Sequence, residues 1–274
     1  ILEFIFGSII SILIVGIIFL ISFNLINLFY RMHFLLGLLI ELILFYNIFE
    51  IRKPLEFGSN IYGALQTNDL DNARGILKEN IRIDTEDMEE ENIIKRTIEY
   101  SAITLAENSI YLSILFIIGG IPICFLYKTI FALSKNEVAI DENTDKRLFE
   151  ILAVKICFFI NVTLSLCAFL LYTISALFLK CRFKNSFAIL KKDGKDSKAI
   201  LECAIAGSLD IELGGDYFKD GELYERANVG DYMEELNYKL IEKVNKILLI
   251  GSIFSLSVLI LIKLIIMLIS AIFN

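Results

Sequence analysis

Long apolar stretches, interrupted by two polar regions, set the pattern of this chain. A helix that crosses a bilayer needs about 20 mostly apolar residues, because its backbone must satisfy its own hydrogen bonds in hydrocarbon. Five stretches meet or approach that length: Phe4 to Leu28, His33 to Phe49, Ser109 to Leu133, Leu148 to Leu179, and Ile247 to Phe273. The pattern predicts an all-α integral membrane protein with about five hydrophobic helices.

Two of these stretches carry features that change their interpretation. The second is short and has Glu41 near its middle, so it either spans the bilayer, re-enters it or packs as a buried hairpin partner. The third contains Gly119, Gly120 and Pro122, which predict a kink whose freed backbone groups are satisfied by neighbouring helices.

The polar regions divide the chain into five segments. Membrane helices occupy 1–49, 109–179 and 247–274, and mostly helical polar regions occupy 50–108 and 180–246. By alternation the two polar regions share one side of the membrane, and the short loop from Ser134 to Arg147 faces the other. Basic residues beside the spans on the polar-region side are Arg52, Lys53, Lys180, Arg182, Lys184, Lys243 and Lys246, against Lys135, Lys146 and Arg147 opposite. The positive-inside rule therefore predicts a multi-pass protein of the cell membrane with cytoplasmic polar regions.

The first polar region shows the pattern of two helices. Asn68 is placed to cap a helix that begins at Asp69, and a second helix is expected after Thr85. The acidic run at Glu89–Glu91 falls in the early turns of that second helix. Acids there stabilise the helix dipole, and we favour this interpretation over metal binding.

The second polar region predicts a helix, a hairpin and a further helix. The helix covers about Ser197 to Leu209, and a Gly214-Gly215 turn and two short strands around Asp220-Gly221 follow it. Asp231, with Glu234 three residues later, resembles a helix-start box and predicts a polar helix that leads into the last span.

Composition excludes some classes of function. The chain of 274 residues is 56% hydrophobic, above the roughly 45–50% of soluble domains, and its net charge of −7 argues against nucleic acid as a partner. Five cysteines without a C-x-x-C pair and a single histidine, His33, predict packing thiols rather than a Cys/His metal site.

A series of short motifs runs along the chain in a recognisable order. They are Ala64-Leu65, Asp69-Leu70, Ala73-Arg74, Asp84-Thr85, Ala106-Glu107-Asn108, Gly119-Gly120-Ile121-Pro122, Tyr127-Lys128, Glu202, Ala206-Gly207-Ser208-Leu209, Leu213-Gly214-Gly215, Tyr217-Phe218 and Gly230-Asp231. From about Ile40 to the C-terminus, this order resembles the cobalamin-biosynthesis CobD/CbiB family, the membrane adenosylcobinamide-phosphate synthases.

The resemblance implies ATP-dependent amide formation between adenosylcobyric acid and aminopropanol or its phosphate. It implies ATP and magnesium as cofactors, a corrinoid as substrate and membrane lipid as the surroundings, and it leaves the metal ligands and the oligomeric state undetermined. Such chemistry needs acids, a cation for phosphate charge and a base near the amine. The candidates are Glu107, Asp84 and Asp231 for catalysis, and Arg74, Thr85, Asn108, Lys128, Glu202, Gly214, Gly215 and Tyr217 for substrate binding.

Structural roles compete with these assignments. Asp84 and Asp231 also suit helix caps, Arg74 a surface ion pair, and Lys128 a snorkelling position within its span. Where the family continues towards Asn-Thr-Leu-Asp-Ser, this chain has Phe131-Ala132-Leu133-Ser134-Lys135. That departure supports a second hypothesis, a non-catalytic membrane relative that acts as a regulator or complex subunit. A transporter is a third class, which the sequence favours less because no inverted repeat is evident.

Overall fold

The computed structural model describes residues 2–135 and 147–273. The predicted loop from Ser134 to Arg147 lies outside these residues except at its two ends. Lys146 is among the residues that are not described. The helices are α1 (Leu2–Met32), α2 (Phe34–Ile48), α3 (Arg52–Gln66), α4 (Leu70–Ile81), α5 (Glu90–Leu105), α6 (Tyr111–Lys135), α7 (Arg147–Phe178), α8 (Phe183–Asp193), α9 (Ser197–Leu209) and α10 (Lys239–Phe273), with a π-helical turn at Ala106–Ile110. The strands are β1 (Leu213–Gly214), β2 (Tyr217–Lys219), β3 (Glu222–Tyr224) and β4 (Asn228–Val229).

Five helical stretches of the described chain are long and apolar enough to cross a membrane. They are Ile12–Met32, Phe34–Gln66, Glu90–Ser134, Val154–Phe178 and Lys239–Ile266. The predicted class, an all-α membrane protein with about five hydrophobic helices, is confirmed. The third stretch begins earlier than predicted, because α5, the π-helical turn and α6 follow one another without a loop.

The chain forms two compact units. The first comprises Ile1–Phe49, Leu112–Thr163 and Leu261–Asn274, and the second comprises Glu50–Tyr111 and Leu164–Ile260. In the first unit α1 packs against α2, and in the second α3 packs against α4 and α5 while α8 packs against α9.

A break in α6 organises the first unit. Gly119 (φ −155°, ψ 22°) and Gly120 (φ 66°, ψ −159°) leave helical geometry, which confirms the predicted kink. The Glu41 carboxylate accepts hydrogen bonds from the freed Ile121 N–H (3.3 Å) and from the Tyr30 hydroxyl (2.8 Å). Lys263 Nζ lies 3.6 Å from the same carboxylate. A side chain at position 120 would meet Glu41 Oε1, so this position needs glycine for both its backbone angle and its space.

The second unit has an apolar core to which α5 and α9 contribute most. α5 buries one face that includes Ile93, Ile94 and Ile98, and every residue of α9 from Ala199 to Leu209 is buried. Any charged group that points into this core from α5 or α9 therefore requires a partner.

The hairpin predicted after the Gly-Gly turn is confirmed. β2 pairs with β3 in the register Tyr217↔Tyr224, Phe218↔Leu223 and Lys219↔Glu222. Asp220 and Gly221 both have positive φ, as a two-residue turn that matches strand twist requires. β1 pairs with β4, and this pairing joins the two ends of the loop that carries the hairpin.

Three predicted helix starts are wrong. Asp69 rather than Asn68 caps α4, since Asn68 has a left-handed backbone (φ 56°) and completes the turn after α3. α5 begins at Glu90 after the N-cap Glu89, later than the start expected just after Thr85. No helix starts at Asp231, because α10 begins at Lys239, whose N–H donates to the side chain of Asn237.

Candidate functional site

A cavity of about 520 Å³ lies in the second unit, between the segment after α4, the start of α5 and the hairpin. Its lining residues are Asp84, Glu86, Asp87, Met88, Asn92, Arg96, Asp216, Tyr217 and Phe218. Carboxylates, an amide, a guanidinium and a phenol thus border one volume, next to apolar surface from Met88 and Phe218. This combination suits a ligand that carries both phosphate or carboxylate groups and an apolar part.

Arg74 and Thr85 shape one wall of the cavity from behind. Arg74 Nε and Nη2 donate to the carbonyl of Met88 at 3.0 and 2.9 Å, and its Nη1 lies 3.1 Å from Asp71. The buried Thr85 hydroxyl donates to the Arg74 carbonyl at 3.3 Å. Arg74 therefore holds the segment that carries Asp84 and Asp87, beyond the surface ion pair considered from the sequence.

Asp84 connects this wall to the hairpin. Its backbone N–H donates to the Phe218 carbonyl (2.9 Å), and its Oδ2 accepts from the Gly221 N–H (2.8 Å). The cap considered for Asp84 is wrong, because the next helix has Glu89 at its N-cap. Asp84 fixes the hairpin and borders the cavity at the same time.

Arg96 and Glu99 form a buried ion pair behind the cavity. Arg96 Nη1 lies 2.7 Å from Glu99 Oε2, and both residues are almost fully buried. Arg96 Nη2 donates to the carbonyls of Gly214 (3.2 Å), Gly215 (2.6 Å) and Asp216 (3.2 Å). These bonds to the guanidinium hold the Gly-Gly turn and direct Asp216 towards the cavity.

Tyr217 and the two glycines complete this arrangement. The Arg96 guanidinium lies 5.1 Å from the centre of the Tyr217 ring, a cation–π distance. Gly214 donates its N–H to Glu99 Oε1 at 2.6 Å, and a side chain there would meet the Ala227 carbonyl. The backbone at Gly214 and Gly215 thus approaches Arg96 and Glu99 closely.

A second ion pair extends the arrangement into the core. Arg226 Nη2 contacts both oxygens of Glu202 at 2.6 and 2.5 Å, and its Nη1 lies 3.2 Å from Glu99 Oε2. Glu202 has no exposed surface. We call Arg96, Glu99, Glu202 and Arg226 the buried charge network; its two cations and two acids balance, as buried charges require.

The pKa values of Glu202 and Arg226 are both shifted within the network. Burial raises the pKa of the Glu202 carboxyl to about 7, the Glu99 carboxylate adds to the rise, and Arg226 partly opposes it. Burial disfavours the charge on Arg226, but Glu202 and Glu99 more than offset this and raise the pKa of its guanidinium. The surroundings therefore favour the protonated form of Glu202 and the charged form of Arg226.

Glu107 and Asn108 lie in the π-helical turn between α5 and α6. Glu107 is buried, the Asn108 carbonyl accepts from the Glu50 N–H at 3.0 Å, and the hydroxyls of Ser109 and Ser252 lie 3.0 Å apart. Single π-helical turns inside longer helices are frequent at functional sites. The turn is thus a second feature of interest, although neither residue lines the cavity.

The cavity brings together only some of the predicted site residues. Asp84 and Tyr217 border it, and Arg74, Thr85, Glu202, Gly214 and Gly215 support it. Asp231 is exposed and pairs with Lys192 at 2.8 Å, so the cap predicted there is wrong. Lys128 belongs to the first unit, whereas the other candidates belong to the second.

The sequence interpretation missed the charges that organise the site. Arg96 and Glu99 do leave a signal, because they interrupt the apolar stripe of α5 three residues apart. Arg226 and Asp216 lie in a loop without periodicity. Their role appears only when the loop contacts α5 and α9.

The candidate ligands for magnesium are carboxylates that border the cavity. In the described ranges, 2–135 and 147–273, no three His, Cys, Asp or Glu side chains are grouped to hold a metal ion. Magnesium is usually held by one or two carboxylates together with substrate phosphates. Asp84 and Asp87, which border the same cavity, fit that mode.

Comparison with known proteins finds similar chains. The family model described as CobD/Cbib protein matches residues 2–134. The cobalamin biosynthesis protein CobD of Leptospira interrogans is 29% identical over 257 residues, which cover 92% of this chain and 81% of the relative. The protein of that name from Clostridium perfringens is 29% identical over 223 residues, 78% of this chain and 69% of the relative. No solved structure matches the chain.

The family model and the relatives agree with the family resemblance noted in the sequence. The relatives extend the similarity over most of the chain, at identities of 23 to 29% across the range from Citrobacter koseri to Leptospira interrogans. The chain is thus similar to the CobD/CbiB family over residues 2–134 and to proteins named CobD over most of its length.

Proposed function

We propose that this protein acts in cobalamin biosynthesis and forms an amide between the carboxylate of adenosylcobyric acid and aminopropanol or its phosphate, with ATP. The names of the relatives support the pathway. The cavity that carries acids on one wall and Arg96 with Tyr217 on another supports the reaction.

The reaction needs the carboxylate to be activated before the amine attacks. Transfer of the γ-phosphoryl group from ATP to a carboxylate oxygen makes an acyl phosphate and releases ADP. The amine nitrogen then adds to the acyl carbon, the C–O bond to phosphate breaks, and inorganic phosphate and a proton from nitrogen are released. Charge develops on phosphate oxygens, so fixed positive groups and a nearby base accelerate both steps.

The residues at the cavity suit these tasks. Asp84 and Asp87 would hold Mg²⁺ together with phosphate oxygens, and the ion would neutralise phosphate charge. Asp216, held through one carboxylate oxygen by the Arg226 N–H at 2.7 Å, is our candidate for the base near the amine. Arg96 positions Asp216 and Tyr217 from behind.

The predicted catalytic roles of Glu107 and Asp231 stay proposals. Glu107 combines burial with its position in a π-helical turn, which favours a role close to the membrane end of the second unit. Asp231 pairs with Lys192 on the surface, which favours a structural role. Lys128 and Asn108 are proposed as substrate contacts on the family resemblance alone.

Orientation follows from the same proposal. ATP and the amino alcohol are water-soluble, so the second unit should face the cytoplasm, as the basic residues beside the spans also indicate. Membrane lipid then surrounds the apolar faces of α1 and α2, where large side chains such as Ile17, Leu20 and Leu39 are exposed.

A direct assay tests the proposed reaction. The purified protein is incubated with adenosylcobyric acid, ATP, magnesium and either aminopropanol or its phosphate, and the amide product is sought by mass. An authentic synthase in the same buffer is the positive control. Absence of product, where the synthase works, would remove the enzymatic proposal.

Variants then assign the site. Asp84→Asn and Asp216→Asn should lower turnover at least tenfold, and Glu107→Gln should abolish it if the π-helical turn contributes to catalysis. Glu222→Gln, an exposed acid on the hairpin, is the matched control and should keep full activity. Full activity in Asp84→Asn and Asp216→Asn would exclude the cavity as the active site.

A non-catalytic relative is the second candidate. It is favoured by the apolar residues Phe131-Ala132-Leu133, where the family carries a polar motif. Corrinoid binding without turnover would support this candidate.

A further inference from the structure

We infer that the outer face of the hairpin, formed by Phe218 and Leu223, is the docking surface for the corrin macrocycle, while one carboxylate side chain of the substrate enters the cavity. This inference rests on the proposed function. The two residues would contact the flat, apolar surface of the substrate, and no single sequence motif contains both of them.

The volume of the cavity requires such a division of the substrate. Cavities of about 300–1,000 Å³ enclose drug-sized ligands, and this one measures about 520 Å³. A corrinoid with its adenosyl ligand and peripheral side chains is far larger than a drug-sized molecule. Only a side chain of that substrate, together with phosphate groups, fits inside, so the macrocycle must pack on the protein outside the cavity.

The hairpin offers an exposed apolar face at that position. Phe218 and Leu223 are directly opposite each other in the strand pair, and each is 52% exposed. Tyr217 and Tyr224 occupy the other face, where their rings stack 5.5 Å apart, and Tyr217 lies over Arg96. Because side chains alternate along a strand, the Phe218–Leu223 pair lies on the face opposite to the tyrosine pair, of which Tyr217 contacts Arg96 and Tyr224 is 42% exposed.

The apolar face is continuous with the cavity. Phe218 borders the cavity, and its carbonyl accepts the Asp84 N–H at 2.9 Å. Asp84 also holds the hairpin turn through the Gly221 N–H. A macrocycle on Phe218 and Leu223 would therefore lie at a fixed distance from the acids, as an aligned reaction requires.

Direct binding and kinetics test the inference. Phe218→Ala and Leu223→Ala should each raise the Kd and the KM for the corrinoid about tenfold, the effect of losing one buried apolar side chain. In Leu223→Ala, whose side chain does not border the cavity, the KM for ATP and kcat should stay within about twofold of the wild type. Phe218→Leu, which keeps an apolar contact, should recover most of the affinity, and Glu222→Ala on the tyrosine face is the matched control.

The outcomes separate the inference from the proposed function. Wild-type protein that binds corrinoid through Phe218 and Leu223 without turnover would support the docking surface and exclude the reaction. Active wild-type protein whose corrinoid KM is unchanged in both variants would overturn the docking surface alone. The inference would also be overturned if the variants bind corrinoid as the wild type does but differ from it in oligomeric state on size exclusion or in retention on vesicles. Another copy of the chain or lipid would then occupy the face.

Discussion

Neutralising Glu41 should loosen the helix break in the first unit. Glu41→Gln keeps the size of the side chain but removes the charge that faces the Tyr30 hydroxyl, the Ile121 N–H and Lys263. Hydrogen bonds to charged groups are worth about 1 kcal/mol more than neutral ones. Two such bonds therefore weaken by about 2 kcal/mol in total.

The ion pair adds a smaller contribution. Lys263 Nζ lies 3.6 Å from Glu41 and its side chain is 28% exposed, so solvent screens part of the charge left behind. We expect the free energy of unfolding to fall by about 2–3 kcal/mol, or by about 5–10 °C in Tm for a chain of this size. Thermal unfolding in lipid nanodiscs measures the shift, with the exposed Glu222→Gln as control.

A double-mutant cycle identifies the cause. Glu41→Gln combined with Lys263→Met removes both charges, so the pair of changes should destabilise less than the sum of the single changes. Gly120→Ala should be at least as harmful as Glu41→Gln, because it combines a positive φ with contact to Glu41 Oε1. Wild-type stability in Glu41→Gln, or strict additivity in the cycle, would refute this account of the break.

Two further predictions concern the second unit. The pKa of Glu202 is raised from 4.5 to about 7, so its protonated form contributes stability that is complete below about pH 4.5 and is lost as the pH rises to about 7. One pKa unit corresponds to about 1.36 kcal/mol, so the free energy of unfolding of the wild type should fall by up to about 3 kcal/mol across that window when it is measured relative to Glu202→Gln. Thermal unfolding of the two proteins at a series of pH values measures this difference. Parallel pH profiles would contradict the prediction. For orientation, Asp220→Cys in a cysteine-free background should react with a membrane-impermeant thiol reagent in inverted vesicles and not in intact cells, and the opposite pattern would exclude a cytoplasmic second unit.

Local chemistry made much of the fold predictable from the sequence. The bounds of α9 and the Asp220-Gly221 hairpin depend on neighbouring residues, and both are where the pattern predicts them. The capping pattern at Asp231 failed because Lys192, distant in sequence, takes its carboxylate.

The site was less predictable, because its charges meet across long separations. Arg96 donates a hydrogen bond to Gly215, which is 119 positions away in the sequence. Glu99 pairs with Arg226, which is 127 positions away. No periodicity within one helix can reveal such contacts. The motif residues Asp84 and Tyr217 border the cavity, whereas Arg96, which holds Tyr217, lies outside every motif.

The pairing of β1 with β4 has a consequence for which changes the hairpin can accept. Leu213 pairs with Val229 and Gly214 with Asn228, so the loop is closed at its base before the hairpin begins. Substitutions confined to Phe218 and Leu223 can therefore alter the exposed face of the hairpin while the pairing at its base and the packing of α5 and α9 are kept. A change of ligand would then require few substitutions at the hairpin and none in the buried core of the second unit.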